Sequence, residues 1–163
     1  MTPVSPQRRE EIHSRQQATA AIREGLRELR IQLALLNYHV GSQLDLKDVD
    51  LDCIDILDAY GPQSPSALAR RAGLHPATMT GILDRLERGG WIARERDPED
   101  RRAVRVAVVR ERYGELMSLY SGMGRAMNKL LAGYSDAELA VIADFLHKTV
   151  DAGEHATDDL DAR

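Results

Sequence analysis

The sequence predicts a mainly α-helical fold that carries one small β-hairpin, with long helices near both ends of the chain. Three observations lead there. Apolar residues recur at spacings of three and four along most of the chain. The period changes to two only once, on both sides of an Asp97-Pro98 turn. Glycine or proline stands where most helical runs break. A chain of 163 residues, 43% hydrophobic and 29% charged, can bury one domain-sized core. No apolar run approaches the roughly 18 residues needed to cross a bilayer, and nothing at Met1–Arg9 resembles a signal peptide. The lone Cys53 can form neither an internal disulfide nor a CxxC zinc site. The expected compartment is the cytoplasm.

Residues 1–9 hold two prolines and no periodic apolar positions, so they are expected to form a flexible arm. From Glu10 a helix is expected, with a heptad seam of Ile22, Leu26, Leu29, Leu33, Leu36 and Val40 ending near Gly41. Asp50 is the expected N-cap of a second helix that places Leu51, Ile54, Leu57 and Tyr60 on one face and stops at Gly61-Pro62. Ser64-Pro65 opens a short helix that ends at Gly73, and His75-Pro76 opens a longer one that ends at Gly89-Gly90. The hairpin follows, with Val104, Val106 and Val108 alternating in its second strand. After Arg110 the helical period returns through Tyr113, Leu116, Tyr120, Met123, Met127, Leu130 and Tyr134. Ser135 and Glu138 form a capping box for a last helix striped by Leu139, Ile142, Leu146 and Val150. The chain then turns acidic, as a fraying end and solvated tail would.

Two helices split by a tight turn and followed by a hairpin make a helix-turn-helix with a wing. Charge supports a polyanionic partner. The net charge is -4, yet residues 62–110 contain ten Arg against six Asp and Glu. On the second helix Met79, Ile82, Leu83 and Leu86 form the apolar face. The opposite face offers Ala77 and Gly81, small enough to sink into a major groove, with Thr78 and Thr80 on its flanks and Arg85 and Arg88 further along. Arg94, Arg96, Arg101, Arg102 and Arg105 cluster around the wing, where an arginine can enter the minor groove. One of Asp97 and Asp100 is expected to pair with a neighbouring arginine.

The stretch GPQSPSALARRAGLHPATMTGILDRLERGGWIARERDPEDRRAVRVAVV resembles the winged helix-turn-helix core of the MarR family of transcriptional regulators. Asp100-x-Arg102 followed by Val106 and Val108 parallels that family's D-x-R-x-x-x-L-x-L-T signature, with Val109 where threonine is usual. The resemblance extends over roughly Glu10 to Val150. It implies a homodimer with first and last helices interlocked, astride a pseudo-palindromic site in double-stranded DNA. It also implies that Arg102 is the minor-groove arginine, Asp100 its orienting carboxylate, and the helix from His75 the recognition helix. Ser64 and Ser66 would then face phosphates. A small aromatic or phenolic effector is expected from the same resemblance, and Asn37, Tyr38 and His39 are the candidates to line its pocket.

The resulting division has an arm at 1–9, a dimerisation helix and linker at 10–49, a DNA-binding lobe at 50–110, dimerisation helices at 111–155 and an acidic tail at 156–163. The expected DNA-facing set is Ser64, Ser66, His75, Ala77, Thr78, Thr80, Gly81, Arg85, Arg88, Arg96, Asp100, Arg101 and Arg102. Acidic neighbours of Cys53 should raise its pKa, which favours a structural thiol. No two of the five histidines stand three or four apart, and no nucleophile or phosphate-loop motif occurs. Neither metal, cofactor nor catalysis is therefore expected. The reading is a regulator, more a ligand-released repressor than an activator. The alternative is a helix-turn-helix that binds another protein without reading DNA.

Overall fold

The computed structural model describes residues 6–97, 100 and 103–161, with side chains from Glu10 onward except those of residues 11, 12 and 161. The elements run α1 (Pro6–Leu44), α2 (Asp48–Tyr60), α3 (Pro65–Arg71), α4 (Pro76–Arg88), β1 (Ile92–Arg96), β2 (Val104–Val108), α5 (Arg110–Leu131) and α6 (Asp136–Asp161). The expected mainly α, winged helix-turn-helix architecture is what forms. The chain divides into two units, Met1–Leu116 and Met117–Arg163.

In the first unit the core gathers under α4. Met79, Ile82, Leu83 and Leu86 are buried against Leu51, Ile54 and Leu57 of α2 and Leu68 of α3, with Trp91, Ile92, Val106 and Leu116 closing the sides. Each such side chain contributes roughly 1.5–3 kcal/mol on removal from water, which fixes the apolar side of α4 inward and leaves its other side out. Strands β1 and β2 pair antiparallel, with Ile92 opposite Val108, Arg94 opposite Val106 and Arg96 opposite Val104. Gln63 adds a bridge that the alternation does not reveal. Its N–H donates to the Val106 carbonyl at 3.1 Å and its carbonyl accepts from the Val106 N–H at 2.7 Å.

Three helices of this unit end in the same way. Asp45, Gly73 and Gly90 adopt positive φ of 54°, 63° and 74°. The next N–H then reaches back to the helix: Leu46 to Gly41, Leu74 to Ala69 and Trp91 to Leu86, at 2.8–2.9 Å. This satisfies carbonyls that the helix leaves open.

Four boundaries differ from the sequence expectation. Helix α1 already includes Pro6–Arg9, since proline suits a first turn that needs no N–H partner; residues 1–5 of the expected arm lie outside the described residues. Gly41 does not end α1. It is buried, and a Cβ there would meet the Leu46 carbonyl oxygen at 2.6 Å, so its role is close approach, and Asp45 makes the turn. Asp50 is not the N-cap of α2. Lys47 occupies that position, and Asp50 sits three residues on, accepting the Lys47 N–H at 2.9 Å. The acidic end does not fray: α6 continues to Asp161.

In the second unit Ser135 caps α6 as expected. Its hydroxyl donates to Glu138 Oε2 at 2.7 Å and its N–H to the same oxygen at 2.8 Å, and these two bonds, the hydroxyl first, hold the Glu138 carboxyl below its ordinary pKa, while the hydroxyl oxygen accepts from the Glu138 N–H at 3.4 Å.

Candidate nucleic-acid interface

Helix α3 begins at Ser64, whose Oγ accepts from the Ala67 N–H at 3.2 Å and lies 3.2 Å from the Ser66 hydroxyl. Helix α4 begins at His75, whose Nδ1 accepts from the Ala77 N–H at 3.2 Å. That bond makes Nδ1 the acceptor and leaves Nε2 as the protonated nitrogen of the neutral ring. Ala77, Thr78, Thr80, Gly81, Asp84 and Arg88 are exposed along the outer face, while Thr80 Oγ1 donates back to the Pro76 carbonyl at 3.1 Å. No heavy atom lies within 4 Å of a Cβ placed on Gly81, so that face is open for close approach.

The acidic residues of the surface are largely occupied. Arg94 of β1 reaches α4, donating from Nη2 to Asp84 Oδ1 at 2.6 Å and from Nη1 to Glu87. A single guanidinium thereby engages two carboxylates that would repel phosphates, halving their net charge from -2 to -1, and ties the first wing strand to α4. In the wing turn Asp97 lies 3.6 Å from Arg105 Nε, and Arg105 also donates to the Pro62 carbonyl at 2.6 Å. The Asp97 and Ala103 backbones bond at 3.0 Å, and Asp97 Oδ1 accepts from the Asp100 N–H at 3.3 Å, closing the turn. Arg96, in the strand pair next to the wing turn, is exposed. Arg101 and Arg102 lie outside the described residues.

Arg85, one of the expected set, is ion-paired within the chain. Its Nε and Nη2 donate to Asp50 Oδ2 at 3.1 Å and Oδ1 at 2.5 Å, and Asp50 is completely buried. From sequence Asp50 has only a local role, because the partner stands 35 residues away. The only available signal was an acid set between Val49 and Leu51, both apolar.

Of the expected effector residues, Tyr38 lines an open depression of about 370 Å³ together with Ser42, Leu46, Lys47 and Asp48. Asn37 and His39 are not part of its lining, and the His39 ring stands edge-on to Tyr38 with centroids 5.7 Å apart. Cys53 is fully buried; burial first, then Asp50 and Asp52, push its thiol up to about 11. Among the described residues no helix is long and apolar enough to cross a membrane.

Comparison with known proteins agrees with this geometry. The MarR family model matches residues 46–104, the span from the end of α1 to the start of β2. The uncharacterized HTH-type transcriptional regulator YcgE of Bacillus subtilis is 31% identical over 134 residues, covering 82% of this chain and 87% of that protein. The HTH-type transcriptional repressor YetL of the same organism is 33% identical over 75 residues, covering 46% of this chain and 45% of YetL. Among solved structures, a MarR family protein from Bacillus stearothermophilus superposes with a TM-score of 0.64 at 21% identity, over 85% of this chain and 97% of the other. With a helix-turn-helix and a β-hairpin set between long helices along the chain, it belongs to the MarR family of DNA-binding transcriptional regulators, which are not enzymes.

Proposed function

We propose that the chain acts as a homodimeric repressor that binds a pseudo-palindromic operator and is released by a small aromatic or phenolic anion. The observation that carries the DNA part is the outer face of α4. It is open at Gly81 and presents Thr78 and Arg88, while Arg94 offsets Asp84 and Glu87. Backbone contacts from Ser64, Ser66 and Arg88 would set the register. The wing, with Arg96, Asp100, Arg101 and Arg102, would supply minor-groove contacts. His75, Ala77, Thr78 and Thr80 offer no bidentate partner for adenine, so specificity is drawn from methyl contacts and groove shape.

Dimerisation is supported by apolar seams that one chain leaves in water: Ile22, Leu29 and Leu33 on α1, and Leu146, Val150 and Leu160 on α6. Repression is supported by the name of YetL. The effector reading rests on Tyr38 beside Lys47, an aromatic face next to a cation, with Asn37 and His39 adjoining in sequence.

Titration of the full chain onto duplexes selected from random DNA, at about 50 and 200 mM salt, tests the regulator. Affinity should fall steeply with salt, and footprints should show half-sites about 10 bp apart. Arg102→Ala should weaken binding by about 1–3 kcal/mol with the fold intact. Repeating the titration with aromatic acids tests release. Indifference to duplex at both salts would favour the protein-binding alternative.

A further inference from the structure

We infer that Arg85 is a positioning residue: its guanidinium clamps the recognition helix to the buried Asp50 and sets the orientation of α4, instead of contacting phosphate. The inference rests on the DNA-binding reading and assigns one residue a different part in it.

The geometry begins with Asp50. Its side chain is wholly buried, and its two oxygens receive three donors: the Lys47 N–H at 2.9 Å, Arg85 Nε at 3.1 Å and Arg85 Nη2 at 2.5 Å. A buried carboxylate without such partners is costly, so the site holds together only while the arginine fork is turned toward it. The apolar contacts of Met79, Ile82, Leu83 and Leu86 hold α4 against the core but are not directional. A helix bound by such contacts alone can roll or slide by a fraction of a turn. A two-pronged charged pair has a direction and removes that freedom.

The clamp also refers α4 to the end of α1. Asp50 Oδ2 holds the Lys47 N–H, and the adjacent Leu46 N–H donates to the Gly41 carbonyl at 2.9 Å. Gly41 packs so tightly there that no Cβ fits, which leaves the junction little room to adjust. A continuous set of hydrogen bonds thus runs from the last turn of α1 to the third turn of α4. Buried ion pairs add little stability compared with apolar packing, and a geometric role is the better-attested reason to keep one.

Salt dependence separates the two roles, since each lost phosphate contact lowers the slope of log affinity against log salt by about one. The full chain is titrated onto its selected duplex as wild type, R85A, R85K and the neutral pair D50N/R85Q, with the fold of each checked by circular dichroism and urea unfolding. R85A should bind at least about tenfold more weakly with the wild-type slope. R85K keeps a cation but loses the fork, so it should fail to restore affinity. D50N/R85Q keeps hydrogen bonding across the junction without charge and should recover most of the affinity with full slope. Should R85A fail to fold, R85K and the neutral pair carry the comparison alone. A slope reduced by about two, one for each protomer of the dimer, in R85A and D50N/R85Q, with R85K near wild type, would make Arg85 a phosphate contact and overturn the inference. Wild-type affinity in R85A would overturn it as well. Absence of duplex binding by the wild-type chain would instead defeat the DNA-binding reading, before any variant is compared.

Discussion

The winged lobe and the two long helices α1 and α6 share one sequence pattern and meet different fates. In the lobe, α2 and α4 bury nearly all of their three-and-four stripes: Leu51, Ile54 and Leu57 on one, where only the terminal Tyr60 stays 53% exposed, and Met79, Ile82, Leu83 and Leu86 on the other. Along α1 the same spacing starts in the core at Val40, 2% exposed, and ends in water at Ile22, 48% exposed. On α6, Leu146 and Val150 are 45% and 58% exposed. The period therefore says that a face will be covered, and it does not say by which chain. The lobe completes its own core, whereas the long helices leave apolar surface exposed in the single chain.

The sharpest way to break this contrast is at the centre of the lobe. Leu83 is 1% exposed in the core, and Leu83→Ala removes buried methyl groups that nothing nearby replaces. It should cost about 2–5 kcal/mol in urea unfolding and abolish duplex binding with the lobe. A loss below about 1 kcal/mol would show that the core repacks easily. The matching change outside the lobe is Leu146→Asp. It should leave helix content unchanged, because the side chain already faces water in the single chain, and raise the dimer dissociation constant about 100-fold, on the order of 3 kcal/mol. Sedimentation over a concentration series measures it. An unchanged dimer would remove the α6 seam from the interface.

What the sequence made legible follows the same division. Local signals were sufficient for the helix order, the wing and the Ser135–Glu138 capping box, because each depends on residues within a few positions of one another. Most of the α4 face was legible for the same reason, since a helical wheel determines what lies opposite a buried stripe. Pairings across long separations were not. Arg85 looks like any outward cation until α2 brings Asp50 beneath it, and Arg94 looks like a wing contact until it meets Asp84 and Glu87. Gly41 was misread by the same limit: a terminator and a close-packing glycine are identical in one dimension, and Leu46 decides between them.

A smaller effect lies where α2 meets the start of α5. Tyr113 donates to Asp58 Oδ2 at 2.8 Å and Arg110 to Oδ1 at 2.6 Å. The Tyr113 hydrogen bond, helped by Arg110, holds the Asp58 carboxyl below its ordinary value despite burial. Burial, and then the same bond, push the Tyr113 phenol up to about 12. A carboxyl lowered in the folded state stabilises it above the ordinary value of about 4, and the gain disappears as pH falls through the folded value. A phenol raised in the folded state stabilises it below its ordinary value of about 10, and that gain disappears as pH rises through about 12. Tyr113→Phe should therefore cost about 1 kcal/mol between roughly pH 5 and 10, with the difference from wild type narrowing on both sides. Unfolding curves across pH check it, and a cost independent of pH would mean that the lost hydroxyl acts through packing alone.

The finest probe of the contrast uses two glycines that a single chain cannot tell apart. Gly124 on α5 and Gly153 on α6 both have no heavy atom within 4 Å of an added Cβ. In an exposed helix, Gly→Ala should stabilise by about 0.4–1 kcal/mol, mainly by restricting the unfolded chain. Their places in the pattern differ. Gly124 falls between the seam positions Met123 and Met127, whereas Gly153 continues the run of Leu146 and Val150 toward Thr157 and Leu160. A small residue within a seam lets a neighbouring helix come close. Gly124→Ala should therefore raise the unfolding free energy and leave dimerisation unchanged. A dimer paired along this seam would meet a methyl in place of bare backbone, so Gly153→Ala should gain the same helix propensity while weakening that dimer by a few fold. Sedimentation and urea unfolding of the two variants, compared pairwise, read the two quantities separately. Equal gains with equal dimer affinity would place the interface elsewhere on α6, nearer Leu139 and Ile142.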